Sequence, residues 1–481
     1  MISFDRDVGR RAWHAFVCLL LVSLFVSVLV TPQPLAGASP FVGSVSGVVS
    51  GRSTATADTT SGLFLNKSNN TDSPSIAIDP AGGYHFAYSA SGPDVTGKEP
   101  AYYAFCASNC ASAASWTITT VSDGVSKVSK VQLALDSAGR PRMLLYGEDP
   151  SFNHQWQYAA CDTGCSSGAN WTVVTLTPVS YIDLSIFDYS PHNFTLDPQG
   201  RPRFVYYDDA LANTGTFYAF CDANCTMLAN WFQLRISTDI LHQSELAFTA
   251  SGQPRIAADI FANPGPSTGI LNYLECNTSC TSDPANWSQT PLYERGGGNA
   301  SWVLRLDASD RPHMLFYQGV PDSGPGDRLY YVWCDTSCTN AANWSRSSVG
   351  LAQTEGTNPD LVLDSQNHPR IAYQKGADGL GYGRCDTNCE SPSANWQHQL
   401  AESSSVLDVD WPLPPPTNCS SANWVGGYRP SLALDASGNP RIGYDALHRH
   451  GTGCTVGEDF RAVRFMVSSG GLSVYLPLIM R

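Results

Sequence analysis

The sequence predicts an all-β chain folded as a seven-bladed β-propeller of four-stranded antiparallel blades, and three observations predict it. One phrase recurs seven times at intervals of 52 to 71 residues: an apolar strand, Asp-x-x-Gly, Pro-Arg, an aromatic strand, Cys-x-x-x-Cys and Asn-Trp. Each copy holds four short strand-like segments, and no window of comparable length has helical periodicity. Repeats of this length bury their apolar faces against their neighbours, as propeller blades do.

The first strand of each copy ends in a tight turn, as in Ser75-Ile-Ala-Ile-Asp79. The fourth turn position is glycine in five copies, and it is Asp310 and Asn367 in the other two. These residue types best tolerate a left-handed backbone, so this position is expected to have a positive φ. The turn aspartate can accept a backbone N–H two residues on, and proline follows in six copies as the first residue of the next strand.

The second strand is apolar on both faces, as in Arg203-Phe-Val-Tyr206, which predicts a strand buried on both sides. The third strand carries Tyr three residues before the first Cys, and the fourth begins at Trp. We interpret the repeated Arg, Tyr and Trp as scaffold, because one active site needs unique residues. Gly62-Leu-Phe-Leu65 could supply a ring-closing strand. Eight blades remain an alternative, because 401–430 contains a half-copy of the cysteine element.

The start of the chain resembles a secretory signal. Arginines precede an apolar run from Ala15 to Val30, and Ala36-Gly37-Ala38 is typical of a cleavage site. An uncleaved anchor is the alternative. The chain divides into four predicted segments: a signal peptide at 1–38, a flexible Ser/Thr/Gly-rich lead-in at 39–68, the β-propeller at 69–470, and a closing strand or sorting tail at 471–481.

Composition limits the partners. Charged residues make up 15% of the chain and the net charge is −14, which repels nucleic acid and anionic membrane. We therefore expect no nucleic-acid partner, and we expect a monomer that uses no cofactor. Cys18 lies inside the predicted export signal, and the other fourteen cysteines are even in number and regularly spaced. Together with that signal, this pattern indicates a secreted or cell-surface protein.

The cysteines are interpreted as local disulfides. Zinc would need four ligands, and each Cys-x-x-x-Cys supplies two without a nearby second pair or His. Two cysteines remain, Cys419 and Cys454, which we pair with each other. The six local pairs are Cys106–Cys110, Cys161–Cys165, Cys221–Cys225, Cys276–Cys280, Cys334–Cys338 and Cys385–Cys389.

Candidate binding residues come from the irregular segments. In a propeller, the second-to-third strand loops and the links between blades share one face, and here these segments vary while the other turns are regular. Aromatic rings beside carboxylates suit sugar recognition, and the segments 402–430 and 445–459 are the strongest candidate for a binding edge. The predicted ligand-binding residues are Trp156, Asp208, Asp209, Glu294, Trp302, Asp410, Trp411, His448 and His450.

The phrase at 432–444, Leu-Ala-Leu-Asp-Ala-Ser-Gly-Asn-Pro-Arg-Ile-Gly-Tyr, and the phrase Tyr-x-x-Cys-Asp-Thr-x-Cys followed by Asn-Trp carry a family resemblance. They resemble the repeats of secreted bacterial sialidase-like (BNR-type) β-propeller proteins. The resemblance implies the propeller fold. Sialidases carry an Asp box, Ser-x-Asp-x-Gly-x-Thr-Trp, where this chain has Cys-x-x-x-Cys and keeps the Trp, so the resemblance does not assign an activity.

Three functions remain open. We favour an exported or cell-surface, non-catalytic propeller that binds glycan or a surface protein through its variable loops, because no catalytic residue can be assigned from the sequence. A sialidase-like glycoside hydrolase or lyase would use two carboxylates of the variable face. A structural envelope protein is the third possibility.

Overall fold

The computed structural model describes residues 61–66, 71–90, 99–121, 127–151, 153–179, 192–208, 214–260, 269–296, 300–319, 329–352, 355–413, 421–450 and 460–467. The predicted signal peptide, the tail at 471–481 and the Cys419–Cys454 pair lie outside these residues.

Seven four-stranded antiparallel sheets form the ring, so the predicted seven-bladed propeller is confirmed. The strands of blades 1 to 3 are β2 (Thr71–Ile78), β3 (Tyr84–Ala90), β4 (Ala101–Cys106), β5 (Thr117–Thr120), β6 (Lys127–Leu135), β7 (Pro141–Glu148), β8 (His154–Ala160), β9 (Thr172–Val179), β10 (Phe194–Leu196), β11 (Pro202–Asp208), β12 (Gly215–Cys221) and β13 (Trp231–Ser237). Blades 4 to 6 are β14 (Leu241–Phe248), β15 (Pro254–Ile260), β16 (Gly269–Cys276), β17 (Trp287–Gly296), β18 (Ser301–Leu306), β19 (Pro312–Tyr317), β20 (Leu329–Cys334), β21 (Trp344–Ser348), β22 (Glu355–Leu363), β23 (Pro369–Lys375), β24 (Gly379–Cys385) and β25 (Trp396–Ser403). Blade 7 is β26 (Ala422–Leu434), β27 (Pro440–His450), β28 (Phe460–Val467) and β1 (Ser61–Phe64).

Blade 7 closes the ring by combining the last three strands of the chain with the first strand, β1. Its outer strand β1 pairs antiparallel with β28, and Leu63 lies opposite Phe465. The predicted ring-closing strand is therefore confirmed. The half-copy at 401–430 does not add an eighth blade, because its described residues form the end of β25, the helix α1 (Ser404–Asp410) and the start of β26.

The Asp-x-x-Gly turns have the expected backbone. The fourth position has φ of 88° at Gly82, 63° at Asp310 and 64° at Asn367. The two exceptions also gain a contact, since each side chain accepts a backbone N–H from the preceding blade. Asp310 Oδ1 accepts from Ala250 at 2.7 Å, and Asn367 Oδ1 accepts from Ala308 at 3.1 Å.

The repeated aromatic residues pack neighbouring blades against each other. The third-strand Tyr of one blade packs on the fourth-strand Trp of the next, with ring centroids 4.9 to 5.7 Å apart. Phe465 replaces the tyrosine in blade 7 and meets Trp116 at 4.9 Å. The five tyrosine pairs are Tyr103–Trp171, Tyr158–Trp231, Tyr218–Trp287, Tyr273–Trp344 and Tyr331–Trp396.

The repeated arginine fastens both turns of its own blade. In blade 2, Arg142 lies 3.0 Å from the turn carboxylate of Asp136 and 2.7 Å from Asp162 in the cysteine turn, and it donates to the carbonyl oxygen of Cys161. Burial alone would raise the pKa of Asp136, but the backbone N–H of Arg140 and the Arg142 charge outweigh it and lower that pKa. These residues are scaffold, as their recurrence indicates.

All six predicted local disulfides are formed, and each links residues four positions apart. Such bridges are typical of extracellular proteins. Within the described part of the chain, the one α-helix has seven residues, and none reaches the length and apolarity that crossing a membrane requires.

Candidate functional site

Two of the predicted tryptophans belong to the packing between blades. Trp156 is 3% exposed and contacts Tyr146 and Phe204 with ring centroids 4.8 and 5.5 Å away. Trp302 is also 3% exposed, and its indole N–H donates to the carbonyl oxygen of Gln243 at 2.8 Å. Neither ring face is available to a ligand in this conformation.

The other predicted residues lie apart from one another. Asp208 is buried at the end of β11, and Glu294 is exposed on β17. His448 is buried in blade 7, with its ring 5.2 Å from that of Trp424. Asp209 lies outside the described residues, as does the side chain of His450.

Asp410 and Trp411 lie together at the end of α1, the link between blades 6 and 7. Ser403 caps this helix by accepting the N–H of Ser405, and buried Leu407 anchors it in the blade 6–7 core. The Asp410 side chain is 38% exposed, and Trp411 is partly exposed. By the connectivity of the blades, this link belongs to the variable-loop face.

Trp411 is held by three aromatic neighbours. Its ring centroid lies 5.2 Å from that of Phe64, 5.3 Å from Trp424 and 5.1 Å from Phe460, with the two phenylalanines meeting it edge to face. The Trp411 carbonyl oxygen accepts the indole N–H of Trp424 at 2.8 Å. Its orientation is therefore fixed before any ligand arrives, which reduces the ordering entropy that binding would cost.

A buried arginine supports Asp410 from below. Arg464 on β28 donates through NH2 to Asp410 at 2.6 Å and makes two bonds to Glu402 on β25, at 2.6 and 2.9 Å. Tyr444 donates its hydroxyl to the same Glu402 carboxylate. Burial alone would lower the pKa of Arg464, but its bonds to Glu402 outweigh burial and raise that pKa, so the guanidinium stays charged.

The closing strand completes this arrangement. Phe64 lies under the Arg464 guanidinium at 4.7 Å from the ring centroid, a cation–π contact. A Cβ at Gly62 would come within 2.5 Å of Glu402 Oε1, so glycine is needed where the strand crosses the ion pair. We call the group Phe64, Asp410, Trp411, Phe460 and Arg464 the α1 edge.

Sequence reasoning found Asp410 and Trp411 but missed Arg464 and Glu402. A signal for Arg464 was present, because the residue before the third-strand aromatic is uncharged in every other blade. The other blades have Tyr102, Gln157, Phe217, Asn272, Tyr330 and Gly381 at that position.

A second polar group, the inner-ring cluster, comprises His192, Glu245, Arg305 and Asp360. Arg305 NH2 lies 2.8 Å from Asp360 and 2.9 Å from His192 Nε2, and its NH1 lies 3.6 Å from Glu245. Both carboxylates are fully buried. Arg305 takes the place of a small or uncharged residue at this strand position in the other blades, which are Ala77, Ala134, Thr195, Ala247, Val362 and Ala433.

The inner-ring cluster is built on a structural contact. Four residues before the turn, the inner strand often carries a side chain that accepts a backbone N–H of the next blade. Asp360 replaces serine in this role and also accepts the N–H of Leu361. A fully buried carboxylate that joins two strands is unsuited to proton transfer with a substrate. The hydrogen bonds that these inner-strand side chains accept from the next blade are Leu133 N–H to Ser75 (3.0 Å), Ile76 N–H to Ser431 (3.0 Å) and Leu432 N–H to Asp360 (2.7 Å).

Among the described residues, no group of three His, Cys, Asp or Glu side chains is placed to hold a metal ion. The α1 edge exposes a carboxylate and a fixed indole, which can bind a ligand through hydrogen bonds and stacking, and the guanidinium beneath them is buried. Beneath this edge the Tyr444 hydroxyl bonds the Glu402 carboxylate, but both side chains are buried, so the exposed side chains described at this edge include no nucleophile with an adjacent base.

Neither a protein-family model nor a curated protein sequence matches the chain. Among solved structures, it is similar to a Dyadobacter fermentans protein of unknown function, at 9% identity, covering 85% of this chain and 97% of that one, with a TM-score of 0.45. It is also similar to a Penicillium chrysogenum α-L-arabinanase complexed with arabinobiose (12% identity, 85% and 98% covered, TM-score 0.43). A Trypanosoma rangeli sialidase in complex with sialic acid is matched at 10% identity, over 84% of this chain and 56% of the sialidase, with a TM-score of 0.41. These likenesses concern the fold alone.

Proposed function

We propose that this protein is an exported or cell-surface, monomeric propeller that binds glycan without cleaving it, through the α1 edge of its variable-loop face. One observation carries the proposal: of the three predicted tryptophans, Trp411 remains partly exposed, and it adjoins an exposed carboxylate that a buried arginine holds in place. A fixed indole and a fixed hydrogen-bonding group are what a sugar ring requires for stacking and orientation.

Export is supported by the six local disulfides, which form and persist in oxidising compartments. The non-catalytic assignment is supported by the burial of Glu245 and Asp360, which join strands in the described core. A hydrolase would need one carboxyl group to act as an acid and another as a nucleophile or base beside the substrate.

The test is a glycan array probed with the oxidised full chain, with every spot then analysed by mass spectrometry. We expect selective binding with no change in glycan mass. Trp411→Ala should weaken binding by about thirtyfold, the loss of one hot-spot aromatic of about 2 kcal/mol. Phe232→Ala is the matched control, because Phe232 is an aromatic residue of blade 3 that is 59% exposed and outside the α1 edge.

Circular dichroism and the melting temperature of each variant separate lost binding from lost folding, since Trp411 also packs on three rings. A mass loss on one glycan class would instead establish a hydrolase or lyase. If the folded protein binds no glycan, the proposal fails and a protein partner becomes the next candidate.

A further inference from the structure

We propose that blade 3 carries a second binding site, separate from the α1 edge, for an extended peptide segment of a partner protein. The peptide adds as a fifth strand to the outer edge of β13 and inserts one apolar side chain between blades 2 and 3. An acidic residue two positions along the peptide pairs with Arg235. Three observations carry this proposal: exposed apolar side chains that break the repeat, a pocket beside them, and an exposed cation on the same strand.

Blade 3 exposes apolar side chains where the other blades carry smaller or polar ones. Phe232 follows the repeated tryptophan and is 59% exposed, and Met227 and Leu228 in the cysteine turn are 57% and 52% exposed. Apart from Val409, no other large apolar side chain of the described residues is more than half exposed. Such a patch favours a contact with another molecule. The equivalent residues are Thr117, Thr172, Ser288, Ser345 and Gln397 for Phe232, Ser112, Ser167, Ser282, Asn340 and Ser391 for Met227, and Ala113, Gly168, Asp283, Ala341 and Pro392 for Leu228.

A pocket of about 160 Å³ opens beside this patch, between blades 2 and 3. Leu176 of β9 lines it from blade 2, together with buried Phe204 and Ala219 of blade 3. The exposed side chains of Leu228 and Phe232 also belong to its lining. Because a dry apolar cavity of about 150 Å³ holds a benzene-sized ring, this pocket suits a phenylalanine or leucine side chain. We call it the blade 2–3 pocket.

The strand that borders the pocket has a free edge. β13 is the last strand in the order β10-β11-β12-β13, and none of the described strands pairs with its outer side. Its residues include no proline, whereas Pro291 interrupts the outer strand of blade 4. An extended peptide can add to such an edge through main-chain hydrogen bonds, with specificity given by pockets for alternate side chains.

Arg235 adds a charge preference to this edge. It is exposed and has no ion-pair or hydrogen-bond partner among the described residues, although the chain has 42 acidic and only 28 basic residues. Strand alternation places Arg235 on the same face of β13 as Gln233, which lines the pocket. Side chains opposite each other in paired strands share a face, so the peptide residue opposite Arg235 lies two positions from the one over the pocket. An acidic residue there complements the charge.

The test uses short synthetic Thr-rich peptides with a central Phe and with Glu two positions away on both sides, which covers either strand direction. Their binding to the oxidised full chain is measured by fluorescence anisotropy. The Phe peptide should bind at least about tenfold more tightly than the same peptide with Ser in place of Phe, because burying an aromatic side chain is worth at least that factor. Exchanging both Glu for Lys should weaken binding about threefold, as expected for an exposed ion pair.

The variants use residues that other blades carry at the same positions, so the fold should be retained. The double variant Leu228→Ala with Phe232→Thr should weaken binding of the Phe peptide at least about tenfold. Arg235→Gln should remove the preference for Glu over Lys and keep the preference for Phe over Ser. Leu400→Thr is the matched control, because Leu400 is a 43% exposed apolar residue on the outer strand of blade 6. Circular dichroism and the melting temperature establish that each variant is folded.

Hydrogen exchange shows whether the peptide adds as a strand. Amides of residues 231–237 should gain protection when the Phe peptide binds, and this gain, absent from the double variant, supports the proposal. The proposal is overturned if no peptide binds, if the Phe and Ser peptides bind equally, if the folded double variant binds as well as the native chain, or if β13 gains no protection.

Other occupants of the patch give different results. If sedimentation shows a peptide-free dimer that the double variant dissociates, the occupant is a second copy of the chain and the peptide assignment is wrong. If the double variant instead loses glycan binding, the patch belongs to a glycan site. The proposal is independent of the α1 edge, so Trp411→Ala should bind the Phe peptide as the native chain does, and loss of peptide binding in that variant while it remains folded would contradict a separate site.

Discussion

Replacing Arg305 with methionine should destabilise the propeller more than its partly exposed position suggests. The side chain is 21% exposed, yet it is the positive partner of Asp360 at 2.8 Å and of Glu245 at 3.6 Å, both fully buried. Removing one partner from a buried pair costs about 3–5 kcal/mol, because a charge is left uncompensated. Partial exposure of Arg305 reduces this figure, and we expect a loss of about 2–3 kcal/mol.

That loss corresponds to a small shift in melting temperature. With an unfolding entropy of about 2.1 cal/mol/K per residue over roughly 400 residues, 2–3 kcal/mol lowers Tm by about 3 °C. Urea unfolding followed by tryptophan fluorescence gives the free energy, and calorimetry gives Tm. Arg346→Met is the matched control on the same blade, because Arg346 is exposed and rests on Tyr293 and Tyr330, so its loss should cost less than about 1 kcal/mol.

A double-mutant cycle isolates the electrostatic cause. Asp360→Ser places in blade 6 the residue that Ser75 and Ser431 provide in blades 1 and 7, where serine accepts the N–H of the next blade. The double variant Arg305→Met with Asp360→Ser should lose at least about 1 kcal/mol less unfolding free energy than the sum of the single variants, because one of the two buried carboxylates left without a cation has been removed. Strict additivity, or an Arg305→Met variant as stable as Arg346→Met, would refute the reasoning.

Three further predictions concern the scaffold. Burial lowers the pKa of His313 and His398, so the unfolded chain binds more protons; stability should be full above about pH 6.5 and fall as pH drops below it, and a Tm that is flat from pH 7 to 5 would contradict this. Asp310→Ala should lose about 2 kcal/mol in urea unfolding, from a positive φ and a lost acceptor, while Asp310→Gly loses less than 1; equal losses would exclude a backbone contribution. Reducing the six short-loop disulfides removes about 2 kcal/mol each on the chain-entropy account, so Tm should fall clearly with reductant while the cold spectrum stays β-type; an unchanged Tm would show that the bridges are not stabilising.

The blade architecture could be predicted because every copy repeats the same pattern of turn residues and apolar strands. The positive φ at Asp310 and Asn367 followed from the residue types that replace glycine there, and both were confirmed. The same two side chains also contact the preceding blade, which no single copy of the repeat could show, because that contact depends on how neighbouring turns stack.

The burial of the two tryptophans could have been predicted from strand alternation. Trp156 lies two residues before Tyr158, so both point to the same blade face, and Tyr158 is part of the repeated inter-blade packing. Trp302 shares the face of Leu304 in the same way. Treating these residues as loop candidates gave position in the chain more weight than side-chain direction.

The sequence indicates which arginines are exceptional, but it does not predict the carboxylates with which they pair. Arg305 and Arg464 each replace an uncharged residue of the repeat, which marks them as exceptions. Their partners lie on other blades, 113 residues away for His192 and 62 for Glu402, and only the geometry of the ring brings them together. Sequence periodicity gives the order of the blades but not which exceptional side chains meet.

If the α1 edge binds a ligand as proposed, the closing strand couples folding order to that binding. Phe64 of β1 lies opposite Arg464 of β28, so the first strand of the propeller must wait for the last before it can pair. Phe64 of that same strand lies against both Trp411 and Arg464, so the α1 edge is complete only after the ring has shut. A ligand bound at the α1 edge would stabilise the closed ring, in which β1 is paired with β28, by mass action. A nick or deletion at 61–64 should therefore abolish binding while leaving most blades assembled.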